Sequence, residues 1–137
     1  MPNTKATGVA YADPEFTTCY ASEEIGYSAA AQGTVTQATS KTTGVTLNKS
    51  AGRITMSSTS LAAAVGTFTL TNSLISANDV VIVNISGGLT SGNVGLCLAY
   101  VTSMTAGSAE ISVRNLAGTN IGTDAIIINF AILHGAA

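Results

Sequence analysis

An all-β fold is predicted, an antiparallel β-sandwich of about eight strands with a jelly-roll-like arrangement. Three features of the sequence predict it. Short segments alternate apolar with polar residues, the mark of a half-buried strand. The polar partners are mostly Thr, Ser, Asn and Gly, and charged residues make up only 9% of the 137-residue chain. Thr is β-branched and suits a pleated surface, whereas Ser, Asn and Gly suit turns. Turn-rich separators then recur at regular spacing, as in sandwiches and barrels.

The segments follow in order. Residues 34–38 (Thr-Val-Thr-Gln-Ala) form the first strand candidate, and residues 44–48 set Val45 and Leu47 between polar neighbours. Residues 53–57 alternate again, and residues 67–71 (Thr-Phe-Thr-Leu-Thr) alternate strictly. Residues 79–85 are denser, with Val80-Val81-Ile82-Val83, and read as a strand buried on both faces. Residues 94–101, 109–114 and 125–133 complete the set. Between them lie separators such as Asn48-Lys49-Ser50-Ala51-Gly52, Ser86-Gly87-Gly88 and Ala106-Gly107-Ser108. Leu61-Ala62-Ala63-Ala64 favours helix locally and suits one turn between strands.

The chain changes character near Gln32-Gly33. Residues 1–32 read as an irregular N-terminal arm and residues 33–137 as the β domain. The arm carries Asp13, Glu15, Glu23 and Glu24 against Lys5, a net charge of −3; the remainder has four bases against Asp79, Glu110 and Asp124, a net of +1. Three of the four tyrosines, Tyr11, Tyr20 and Tyr27, also lie in the arm. These aromatics need an apolar surface to cover them, on a partner or on the chain's own domain.

Composition narrows the function. Average proteins carry about 25% charged residues, so this surface has little to keep copies apart. Coverage by partner chains is expected. Lys5, Lys41, Lys49, Arg53 and Arg114 are scattered, without the basic stripe of a nucleic-acid binder. The longest apolar run, near residues 125–133, is interrupted by Asn129 and is too short to span a membrane. No basic region followed by an apolar stretch opens the chain, so no secretory signal is expected, and the Asn48-Lys49-Ser50 and Asn84-Ile85-Ser86 patterns are discounted as glycosylation sites.

A search for chemistry returns nothing. His134 is the single histidine, and with Cys19 and Cys97 it shows no metal-ligand spacing. No Gly-x-Ser-x-Gly elbow supports a nucleophilic serine. Residues 87–95 are glycine-rich but lack the Lys-Ser/Thr of a phosphate loop and read as a mobile turn. Cys97 reads as a small hydrophobe in a strand; a Cys19–Cys97 disulfide stays open, because spacing cannot establish its geometry. Neither an enzyme nor a cofactor is expected. Asp79 and Asp124 open apolar strands and can accept bonds from turn amides. Glu23-Glu24 reads as solvated or facing a basic partner. Since charge is scarce, Arg53, Arg114, Asp79, Glu110 and Asp124 are candidates for ion pairs between subunits.

Residues 36–49 (Thr-Gln-Ala-Thr-Ser-Lys-Thr-Thr-Gly-Val-Thr-Leu-Asn-Lys) and 52–56 (Gly-Arg-Ile-Thr-Met) resemble a module of tailed-bacteriophage virion proteins. So do residues 68–73, 79–84, 111–115 and the ending Ile128-Asn129-Phe130-Ala131-Ile132. The resemblance covers residues 33–137. It implies a virion structural protein, like capsid decoration (cement) proteins or head and tail fibre tips, and it implies a homotrimer. The short arm, without heptads, favours decoration of the capsid exterior, with the major capsid protein as partner. On that reading Tyr11, Phe16, Tyr20 and Tyr27 are the candidate capsid contacts, since aromatics dominate interface hot spots. The alternative is a fibre tip binding host surface or glycan. The few aromatics of the β region, Phe68, Tyr100 and Phe130, weigh against a sugar-stacking platform.

Overall fold

A computed structural model of the chain describes residues 18, 20–61 and 64–135. Eight strands run through them: β1 Gln32–Thr36, β2 Val45–Thr46, β3 Ala51–Thr55, β4 Val65–Thr71, β5 Val80–Gly87, β6 Cys97–Thr105, β7 Ser108–Asn115 and β8 Ile127–Leu133. Each falls on or beside a segment expected from alternation. Ala29–Ala31 forms one 3-10 turn ahead of β1. Of the expected turn at Leu61–Ala64, Ala62 and Ala63 lie outside the described residues.

The strands form two four-stranded sheets in a sandwich-like arrangement. Sheet A has the order β1-β3-β8-β5 and sheet B the order β2-β4-β7-β6. The chain alternates between sheets until β6 and β7, which pair as a hairpin. Gly107, with φ +85°, takes the second corner of its two-residue turn, where positive φ favours glycine.

Two pairings depart from the expected all-antiparallel arrangement. β1 pairs with β3, and β2 with β4, in parallel. The physical cause is connectivity. β1 crosses to the other sheet as β2 and returns as β3, so two crossings place β1 and β3 side by side in one direction. The other pairings are antiparallel.

Alternation sorts the side chains. Ile54, Phe68, Leu70, Ile111, Val113, Ile128, Phe130 and Ile132 point inward from both sheets into one core. Burying an aliphatic side chain of this kind contributes about 1.5–3 kcal/mol. Gly52 admits this packing: a Cβ there would meet the Gly33 carbonyl oxygen and Leu47 Cδ2, each at 2.8 Å, and Phe130 Cε1 at 3.0 Å. Gly52→Val is therefore expected to lower stability by about 1–3 kcal/mol, the usual cost of overpacking. A urea titration followed by circular dichroism checks it.

β5 corrects the sequence reading. It is an edge strand of sheet A, and it is buried on one face only. Val81 is 7% exposed, whereas Val80 and Ile82 are 56% and 51% exposed. Leu133 and Ala131, opposite them, belong to the same outer face of the sheet, which among the described residues meets no second sheet and is crossed only by the arm near Tyr27.

Candidate interaction surface

The outer face of sheet A is built row by row from strand register. Val80 stands opposite Leu133, and Ile82 opposite Ala131, which in turn faces Ala51. The next row is polar: Asn84, Asn129, Arg53 and Thr34 lie side by side. Ser86 Oγ donates to Asn129 Oδ1 at 3.1 Å and holds that row in place. An apolar half therefore borders a polar half, and Arg53 is the one charged residue in the four strands of sheet A.

The arm crosses this face. The Tyr27 hydroxyl donates to the Ile132 carbonyl of β8. Gln32 Nε2 donates to the Tyr27 carbonyl at 2.9 Å, and Lys49 Nζ to that of Ala30 at 2.8 Å. Ile25, Gly26 and Tyr27 form a groove of about 410 Å³ with Ala131 and Leu133. Upstream of Gly26 the side chains are open: Ile25 is 86% exposed, Tyr20 is 92% exposed, and Glu23 and Glu24 are exposed.

The candidate residues are thus divided. Of the aromatics, Tyr20 is open to a partner, whereas Tyr27 is partly buried with its hydroxyl bound within the chain. Tyr11 and Phe16 lie outside the described residues. So does Cys19; Cys97 is a free thiol packed against the core, and burial pushes its pKa up. Arg53, Arg114 and Glu110 are exposed on β3 and β7, and none forms an ion pair among the described residues. Arg53 faces out from sheet A, the other two from sheet B.

Asp79 and Asp124 are engaged inside the chain. Asp79 is buried at the head of β5. Its carboxylate accepts the Ser76 N–H and hydroxyl, each at 2.8 Å, and the Gly135 N–H at 3.0 Å. His134 Nδ1 lies 3.1 Å away, a hydrogen-bonding contact that is an ion pair only when the imidazole is protonated. Led by the Ser76 N–H, these bonds hold the Asp79 pKa at about 2. A folded-state value below the unfolded one stabilises the fold above about pH 4 and loses that effect as pH falls towards 2. Thermal unfolding between pH 6 and 2 is expected to show this loss, and Asp79→Asn to flatten the profile.

Asp124 fastens residues 88–96. Its carboxylate accepts Asn93 Nδ2 at 2.8 Å, and the Thr90 N–H at 3.0 Å. These bonds, Asn93 first, lower its pKa. The glycine-rich stretch is therefore a tied loop. Behind it Lys41 is 2% exposed. Its ammonium donates to the carbonyls of Ser57, at 2.6 Å, and of Asp124. Burial lowers the Lys41 pKa, and the charge of Asp124 partly opposes that. Gln37 braces the loop that carries Lys41, donating to the carbonyls of Lys41 at 3.1 Å and Thr43 at 2.8 Å.

Sequence reasoning missed Ile25, Val80, Ile82 and Leu133 as surface, and Lys41 as interior. For β5 a signal existed. Asn84 and Ser86 are two residues apart, and that phase also carries Ile82 and Val80 outward. No local pattern marks Lys41.

Among the described residues no group of three or more His, Cys, Asp or Glu could hold a metal ion, and no helix is long and apolar enough to cross a membrane. No family model matches the chain, and no curated protein or solved structure matches it.

Proposed function

We propose that this chain is a structural assembly protein without catalytic activity. The observation that carries this reading is the outer face of sheet A, where Val80, Ile82 and Leu133 are each more than half exposed in one patch. A chain with so few charges gains by covering such a patch with protein, because exposed apolar patches favour association.

Within that class the proposal is a bacteriophage capsid decoration protein. It forms a homotrimer on the capsid exterior and bridges major capsid subunits. The virion-protein resemblance of residues 33–137 and the short acidic arm support it. A jelly-roll-like arrangement of the sandwich belongs to the same proposal, with the two parallel pairs as a local departure. Binding only the assembled shell stabilises it by mass action. Tyr20, fully presented, is the first candidate contact.

Co-sedimentation with empty capsid shells of the particle that encodes the chain tests the reading. Saturable binding and a raised shell melting temperature are expected, and Tyr20→Ala is expected to weaken binding about tenfold or more, as hot-spot truncations do. A chain that stays in the supernatant at all concentrations contradicts the reading.

A further inference from the structure

We propose that the apolar patch of sheet A is the seat for residues 1–17 of a second copy of this chain. This does not rest on the virion reading, since a free oligomer would make the same contact.

Three observations converge. The first is the shape and chemistry of the patch. Val80, Ile82 and Leu133 stand beside the groove of Ile25 and Ala131, and the next row brings Arg53. A second depression, of about 450 Å³, is lined by Arg53, Gln32, Thr34 and Asn129 among others. The face thus offers apolar cover next to a guanidinium without an ion-pair partner among the described residues.

The second is charge. No acidic residue occurs in the four strands of sheet A. The segment Tyr11-Ala12-Asp13-Pro14-Glu15-Phe16 carries two aromatics and two carboxylates within six residues. Aromatics over Val80 and Ile82 and a carboxylate at Arg53 match the apolar and polar rows of the face. Guanidinium–carboxylate pairs add directional hydrogen bonds to that match.

The third is reach. The arm crosses β8 at Tyr27, where Ile25 lies beside Ala131 and Leu133, and upstream Glu23, Glu24 and Tyr20 are exposed. Seventeen extended residues reach roughly 60 Å, enough to cross a small neighbouring domain. The inference assigns Tyr11 and Phe16 to the neighbouring copy and leaves Tyr20 for any other partner.

The test uses the full chain with photo-reactive benzoylphenylalanine in place of Phe16. Irradiation is expected to give a band at twice the 13.7 kDa chain mass, with cross-links mapping to residues 80–84 and 131–133. In Ile82→Glu, whose site is exposed and whose circular dichroism should be unchanged, that band is expected to fall about tenfold, since a carboxylate there lies unpaired under the aromatic and repels Asp13 and Glu15. Arg53→Glu is expected to weaken it, and Glu15→Arg with Asp13→Arg to restore it. Cross-links only within one chain, cross-links between chains at other residues, no cross-links, or a band indifferent to Ile82→Glu would each overturn the proposal. Capsid binding is not part of this readout, so its failure and that of the capsid reading are separable.

Discussion

Ile128→Ala is expected to destabilise the fold by about 2–5 kcal/mol. Ile128 is 0% exposed near the start of β8, and β8 pairs with both β3 and β5. Truncation there removes three methyl or methylene groups from between two sheets. The neighbours Ile54 and Ile85 are held in register opposite it, so the cavity cannot close by a local shift. At about 3–5 °C per kcal/mol for a chain of this length, the melting temperature is expected to fall by about 6–25 °C. A loss below about 1 kcal/mol would mean that the two sheets do not share one close-packed core.

Lys41→Met is the second large effect, expected to cost about 2–4 kcal/mol. Methionine keeps most of the volume and removes the ammonium. The Ser57 and Asp124 carbonyls then lose their donor, and a buried polar group left without a partner costs about 1–3 kcal/mol. Relief of the desolvated charge returns part of that. The loss should also loosen residues 88–96, because Asp124 ties that loop from the other side. Hydrogen exchange at Thr90 and Asn93 should quicken in step with the lower melting temperature. Arg53→Met serves as the control: Arg53 is exposed and outside the core, and its stability change is expected to stay within about 0.5 kcal/mol.

The strands were legible in the sequence because sheet burial has a period of two and this chain follows it closely. Thr67-Phe68-Thr69-Leu70-Thr71 alternates without a break, and Phe68 and Leu70 are the buried pair. Pairing direction was not legible. Whether β1 meets β3 in parallel depends on which sheet each crossing enters, and no residue in the intervening segments encodes that locally. The candidate surface was misread for a related reason. Val80 and Ile82 have the composition of a core strand, yet β5 lies at a sheet edge with its outer face open. Hydrophobicity reports that a residue needs cover, and only topology reports whether its own chain supplies it. The charged candidates divide in the same way. Asp79 finds partners in its own turn and Asp124 in the distant loop of Thr90 and Asn93, while Arg53, Arg114 and Glu110, at mid-strand or strand-end positions on outward faces, form no ion pair among the described residues.

The most direct measurement is the native mass of the full chain by light scattering after size exclusion, beside that of Ile82→Glu. The account expects three times the 13.7 kDa chain mass for the natural sequence and a smaller, folded species for the variant. A soluble monomer at all concentrations, or an oligomer untouched by a charge placed in the apolar patch, would contradict it.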